Sequence, residues 1–185
     1  MGRKRTIDRD AILDAAEAIV GEAGAGQLTF DQVASRAGVS KGGVLYCFPS
    51  KSALIAAMME RDLKRFEVEM AARLDAAGGD RLRARIDATR DESAAMAARA
   101  ASLMAGVVEA GDEAKPLRAD YRGWLDSFGD DADGRRRRLA FLACEGVFML
   151  RGLGILEIDE NEWGGVFADI AELTGKAPVN SPDRT

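Results

Sequence analysis

Residues 29–51, TFDQVASRAGVSKGGVLYCFPSK, constrain the fold of this chain more than any other stretch. Thr29 precedes a run in which Phe30, Val33, Ala34 and Ala37 recur at helical spacing. Gln32, three residues after Thr29, completes a capping box: the hydroxyl takes a first-turn N–H and the amide reaches back. Gly38 supplies the left-handed residue on which a short helix stops. Ser40 can cap a second short helix over about residues 41–48, Pro49 ends it, and Ser50 can cap a third that begins at Lys51.

Two short helices joined by Ala37-Gly38-Val39-Ser40 form the helix-turn-helix pattern. A hairpin of this kind can also be plain core. As a reading unit it would place its second helix in the major groove, with the N-terminal residues at base edges. The surrounding chain favours that use. Arg3, Lys4, Arg5 and Arg9 face only Asp8 within the first nine residues. A basic arm directly ahead of a helix-turn-helix suits phosphate or minor-groove contact. The net charge of −5 excludes a globally basic nucleic-acid binder, so contact must use such a local patch.

The rest reads as helix throughout. Apolar residues make up 47% of the 185, Pro is scarce at 4, and β-branched runs are nearly absent, so the class is all-α. Ile12, Ala15, Ala16, Ile19 and Val20 mark a first helix over about 8–23. With the two short helices it should share a small core of Ile12, Ala16, Leu28, Val33, Ala34, Val39 and Phe48. The helix from Ser50 is expected to run to about 77, where Gly78-Gly79 breaks it. Its start faces the reading unit and its later positions, Met58, Leu63, Phe66, Met70 and Leu74, face the helices beyond residue 80. The domain boundary is set inside it: residues 1–53 form the DNA-binding unit with its arm, 54–175 a helical second domain, and 176–185 a disordered tail.

Within the second domain, Asp80 begins a helix, residues 96–108 carry a further apolar face, Pro116 opens a shorter helix, and a long helix spans about 131–156. That last one is apolar on two sides, with Leu139, Leu142, Ala143, Gly146, Val147 and Leu150 on one and Phe141, Cys144 and Phe148 on the other. A helix apolar nearly all round is buried on both sides, one side by the core and the other by a second subunit. A final helix over about 160–174 carries Trp163, Val166, Phe167, Ile170 and Leu173. The run Arg135 to Arg138 follows Asp130, Asp131 and Asp133 and reads as an ion-paired helix start.

The only cysteines, Cys47 and Cys144, are far apart and suggest a reducing compartment. The basic start is followed by no long apolar segment, so no signal peptide is expected and the expected location is cytoplasmic. The window 139–156 carries Glu145 and Arg151 and suits a buried helix better than a membrane span.

Ile12-Leu13 with Ala15-Ala16, Gly24, Thr29, Val33-Ala34, Ala37-Gly38-Val39-Ser40, Gly42, Tyr46, Phe48, Ser50-Lys51 and Leu54 match, in order and without a gap, a known pattern. Over about residues 8–55 the chain resembles the TetR family of one-component transcriptional repressors. It departs at Leu45, where an aromatic is usual, and at Cys47, where His or Tyr is common. Beyond residue 55 the resemblance is in helical layout alone. It implies a homodimer built by the last two long helices, a small-molecule pocket in the C-terminal domain, and a palindromic DNA operator released when an apolar effector binds.

The DNA-contacting candidates are Arg3, Lys4, Arg5, Thr29, Ser40, Lys41, Gly42, Gly43, Tyr46 and Lys51. Lys41 can reach a guanine edge or a phosphate. Gly42 and Gly43 would admit close backbone approach. Tyr46, Lys51 and Thr29 match phosphate-binding positions of the family. The pocket candidates are Phe66, Met70, Met96, Leu103, Met104, Val107, Tyr121, Trp124, Phe128, Phe141 and Phe148, each of which also suits plain core. Glu109, Asp120 and Arg122 could orient a ligand. The dimer candidates are Leu139, Leu142, Ala143, Gly146, Val147, Leu150, Val166, Phe167 and Ile170.

An enzyme is the first competing reading. The chain has no His, which removes the commonest general base, and no Walker loop or paired-Cys motif. Gly152-Leu153-Gly154 ends a helix and lacks the third Gly of a dinucleotide loop. A helical module that has lost DNA binding is the second, motivated by Leu45 and Cys47. No cofactor, metal or membrane partner is expected.

Overall fold

Helix caps placed where the sequence puts Asp, Ser and Thr divide the chain into its elements. The computed structural model describes residues 7–175, the side chains of residues 108–110 excepted. The arm candidates Arg3, Lys4 and Arg5, the tail of residues 176–185 and the Glu109 side chain therefore lie outside the described residues. The described part holds α1 (Arg9–Ala23), α2 (Phe30–Ala37), α3 (Lys41–Cys47), α4 (Lys51–Ala72), α5 (Arg81–Asp91), α6 (Ala94–Val107), α7 (Lys115–Asp126), α8 (Ala132–Gly152) and α9 (Glu160–Glu172). Short 3-10 turns at Ala25–Gln27 and Val108–Ala114 complete it, and no strand occurs among the described residues. No single described helix is long and apolar enough to cross a membrane.

The caps are local and result from side-chain reach. Asp8 accepts from the N–H groups of Asp10 and Ala11, Ser50 caps α4 through Ala53 N, and Asp80 caps α5 through Leu82 N and Arg83 N. Thr29 with Gln32, and Asp159 with Glu162, form reciprocal capping boxes. Gly38 closes α2 at φ 66°, and Val39 N then reaches the Ala34 carbonyl at 3.0 Å. The acidic and basic runs before and within α8 pair as expected: Arg136 with Asp133 and Arg138 with Asp130, while Asp131 caps the helix and Arg137 reaches across to Asp80 at 2.6 Å.

Two apolar clusters hold the fold. The first joins Ile12, Ala16, Leu28, Val33, Val44, Phe48, Leu54 and Met58. It contains the expected small core, with Val39 only half-buried at its edge. It also takes in Leu103 and Val107 of α6 and Leu117 of α7, so apolar packing runs unbroken across residue 53. The second joins Leu82 and Ile86 of α5, Trp124 and Phe128 of α7, Phe141, Cys144 and Val147 of α8, and Trp163, Phe167 and Ile170 of α9. Phe141 sits at its centre, stacked on Trp124 at 5.5 Å and edge-on to Tyr121 at 5.9 Å. Each such buried side chain stabilises the fold by about 1.5–3 kcal/mol.

Two helices end earlier than their apolar patterns suggest. The expected helix over 50–77 stops at Ala72 and continues as turns, with Gly79 N closing on the Leu74 carbonyl at 2.9 Å. The expected helix over 131–156 stops at Gly152. Gly154, at φ 63°, turns the chain so that Ile155 N caps the Leu150 carbonyl at 3.0 Å. Gly152 itself lies so close to α6 that a Cβ there would stand 2.6 Å from Ala101 Cβ. The periodicity of α8 runs on past this crossing, but the turn at Gly154 takes precedence.

Candidate nucleic-acid interface and internal cavity

α3 presents a short, solvent-facing edge. Ser40 caps it by accepting from Gly43 N at 3.1 Å. Val44 and Phe48 anchor it in the first core, and the Arg9 guanidinium lies 4.7 Å from the Phe48 ring centre. Tyr46 projects outward at 85% exposure and Leu45 at 40%. Lys41 is at the first turn with its ammonium 2.9 Å from Asp31 on α2, both side chains being largely exposed. Lys51 donates to the Gly26 carbonyl at 2.9 Å, which ties the start of α4 to the turn after α1. Thr29 stands at the N-terminus of α2.

Gly42 and Gly43 divide in role. A Cβ at Gly42 would meet nothing nearer than Ser40 Oγ at 3.9 Å, so its face is open. Gly43 is buried, and a Cβ there would stand 3.3 Å from Ile7 Cδ1. A side chain at 43 would need Ile7 to give way by a few tenths of an ångström.

Behind the reading unit lies a cavity of about 320 Å³. α4, α5, α6, α7 and α8 enclose it. Of the residues expected to line a pocket, Phe66, Met96, Met104, Tyr121 and Phe148 do so. Met70 and Trp124 lie instead on a minor cleft behind Phe66, together with Asp120. Leu103, Val107, Phe128 and Phe141 are packed into the two cores, because each faces a neighbouring helix and not the void. Arg122 is on the surface with Asp126.

The wall is far more polar than an apolar pocket requires. Arg85, 8% exposed, donates through Nε and Nη2 to Glu145 Oε1 at 2.8 and 2.6 Å, and the Tyr121 hydroxyl donates to Glu145 Oε2. Burial, with Glu145 beside it, pushes the Tyr121 phenol well above its ordinary pKa, so it stays a donor. Asp62, 8% exposed, accepts from Arg99 Nη2 at 2.7 Å and Arg65 Nη1 at 3.0 Å. The same Arg65 nitrogen donates to Glu17 of α1 at 2.9 Å. Glu92, at the end of α5, has no hydrogen-bond or ion-pair partner among the described residues. Burial, with the Asp62 charge added, raises it from 4.5 to about 7, against the pull of Arg99 and Arg151.

Sequence reasoning missed these charged groups because no single helix shows which neighbours enclose Arg85 and Asp62. One signal was available: Arg85 and Glu145 each interrupt an otherwise apolar face. The helix over 96–108 was read, but its contact with the reading unit was missed. It touches the reading unit directly, since Ser102 Oγ accepts from Ala25 N at 2.9 Å and a Cβ at Gly106 would stand 3.4 Å from Ile55 Cδ1.

The dimer candidates also separate. Leu139, Leu142 and Leu150 stand 61%, 50% and 36% exposed on one face of α8, and a Cβ at Gly146 on that face would meet nothing. Ala143 and Val166 are half-buried. Val147, Phe167 and Ile170 are committed to the second core of the same chain. α9 has a single apolar stripe, and that stripe is used to cover α5 and α8.

Residues 12–58 match the family model described as bacterial regulatory proteins, tetR family. Residues 79–175 match that described as the tetracyclin repressor-like C-terminal domain. Among solved structures the chain resembles the multidrug binding protein EbrR, in complexes with imidazole and with ethidium. The imidazole complex is 19% identical, with a TM-score of 0.67 and coverage of 94% of this chain and 98% of that one. The fatty acid degradation regulator FadR from Bacillus halodurans is 19% identical, with a TM-score of 0.60 over 93% of this chain and 96% of that one. Salmonella enterica GusR is 19% identical, with a TM-score of 0.61 over 93% and 99%. No curated protein matches the sequence.

Proposed function

Since the chain belongs to the TetR family of bacterial regulatory proteins, we propose that it is a repressor that binds a palindromic operator as a homodimer and lets go when a small molecule fills the cavity. The observation that carries this reading is the double allegiance of α4. Leu54, Ile55 and Met58 pack in the core beneath α3, while Met59, Asp62, Leu63 and Phe66 line the cavity. A ligand that moves the cavity wall therefore moves the base of the reading helix. Arg65 strengthens the link by holding Glu17 of α1 and Asp62 of the wall at once.

On DNA, α3 would enter the major groove. Lys41 would exchange its Asp31 partner for a guanine edge or phosphate, and Tyr46, Thr29, Ser40, Gly42 and Lys51 would contact the backbone. The arm at Arg3, Lys4 and Arg5 would add phosphate contacts. The exposed face of α8, with Leu139, Leu142, Gly146 and Leu150, would meet its copy on a second subunit, because a two-fold interface repeats one patch on both partners. The effector would have to bind the released state better than the DNA-bound one, and DNA would weaken its binding by the same factor.

Selection of duplexes from a random pool by the full-length protein tests this. The expected outcome is enrichment of an inverted repeat with half-sites about one helical turn, or a multiple of it, apart. A bound pool without inverted symmetry, or no enrichment, overturns the reading.

A further inference from the structure

The charges around the cavity nearly cancel. Arg65 is engaged by Glu17 and Asp62, Arg73 by Glu69 and Asp91, Arg85 by Glu145, and Arg99 by Asp62. Those pairs use every arginine on the wall and every carboxylate on it except one. The exception is Glu92, which lines the void and has no partner among the described residues. No free cation remains on the described wall to receive an anionic ligand. The rest of the lining consists largely of soft or aromatic side chains, Met59, Phe66, Met96, Met104, Tyr121 and Phe148. Methionine and aromatic faces adapt to irregular apolar bodies, and aromatic faces attract positive charge.

We propose that the cavity takes an organic cation with an apolar body, its charge seated against Glu92. An uncharged molecule of the same shape would leave that carboxylate unpaired inside the wall. An organic anion would add a second negative charge beside it. A cation would give the one unpaired carboxylate of the described lining a partner and keep its apolar part against the methionines and rings. Charge pairing in a partly desolvated pocket is worth more than at the surface, so the preference should be large enough to measure. The inference rests on the cavity being the effector site.

Two probes of one shape separate charge from fit: benzyltrimethylammonium, a permanent cation, and neopentylbenzene, in which carbon replaces the nitrogen. Both are titrated into the full-length protein at pH 8 by calorimetry or tryptophan fluorescence. The expected result is at least tenfold tighter binding of the cation, reduced to near parity in Glu92→Gln. That substitution removes no hydrogen bond or ion pair among the described residues, and an unchanged far-ultraviolet circular dichroism spectrum with a cooperative melt verifies the variant's fold. Equal affinities in the parent, a preference that survives Glu92→Gln, or saturation by neither probe overturns the proposal. Release of operator DNA is followed separately by mobility shift. A cation that binds through Glu92 yet leaves operator bound overturns the effector reading while the charge preference stands.

Discussion

Arg65 on α4 donates to Glu17 on α1 across 2.9 Å, although the two lie 48 residues apart. Glu17 is 7% exposed, and its second oxygen, Oε1, is buried without a hydrogen bond. The nearest further cation, Arg61 Nη1, stands 3.5 Å away. Arg65 therefore makes the one hydrogen bond that Glu17 accepts among the described residues, and Arg61 adds a longer ion pair.

Arg65→Met should leave the buried Glu17 charge with Arg61 alone, 3.5 Å from its Oε1. Fully buried pairs lose about 3–5 kcal/mol when one partner goes, and water at the outer side of Arg65 should bring this case down to about 2 kcal/mol. Urea unfolding measures it. Adding Glu17→Gln should restore part of the loss, because it removes the stranded charge. A double variant no more stable than Arg65→Met would show that the pair is not what holds α1 to α4.

Glu92 gives stability a pH dependence of definite sign. Its pKa is raised on folding, from 4.5 to about 7, so the folded state binds the proton more tightly than the unfolded chain. The contribution is fully present below about 4.5 and is lost as pH rises to about 7. Asp62 on α4, Arg99 on α6 and Arg151 on α8 are the charged groups acting on it. Glu92→Gln should therefore stabilise the fold at pH 8 by about 1 kcal/mol after allowing for water at the cavity mouth, seen as a higher melting temperature, and the gain should shrink towards pH 4.5. A gain of equal size at both pH values would assign it to some other cause.

The open face of α8 makes Gly146 a sensitive probe of assembly. No atom lies within 4 Å of a Cβ placed there, so Gly146→Asp should leave the folded chain intact. At a subunit interface the same carboxylate would be buried without a partner, which costs several kcal/mol. Sedimentation should show monomers with unchanged helical content. An intact dimer would place the interface on another face.

On DNA, deleting Arg3, Lys4 and Arg5 should flatten the slope of log affinity against log salt, by about 0.9 for each phosphate no longer neutralised. Tyr46→Phe should weaken binding to all sequences alike. Lys41→Ala should relax preference at particular base pairs by about 1–3 kcal/mol if the lysine reads a base edge. Uniform weakening by Lys41→Ala would reassign it to phosphate.

The cap residues, the turn at Gly38 and the period of the apolar positions are properties of neighbours in the chain. They were sufficient to read α1 to α3, the starts of α4, α5 and α9, and the inward side of Ile12, Val33 and Phe48. Helix ends were less legible. Apolar spacing runs past Ala72 and Gly152, and only the turns at residues 73–79 and at Gly154 show where each helix stops.

The pocket residues show the same division. Phe66, Met96, Met104, Tyr121 and Phe148 share their apolar character with Leu103, Val107, Phe128 and Phe141, and nothing local separates the five that line the void from the four that fill a core. Phe167 and Ile170 likewise carry the pattern of an outward apolar stripe but cover α5 and α8 of their own chain. The sequence by itself determined an all-α chain with a helix-turn-helix at a known place, because hydrogen-bonded caps and side-chain periodicity act over a few residues. Tertiary structure alone decided which apolar face stays open, that Arg65 joins α1 to the cavity wall, and that Glu92 is left without a partner among the described residues. Those outcomes depend on how helices distant in sequence cross, and which charges meet at a crossing is not encoded in any short window.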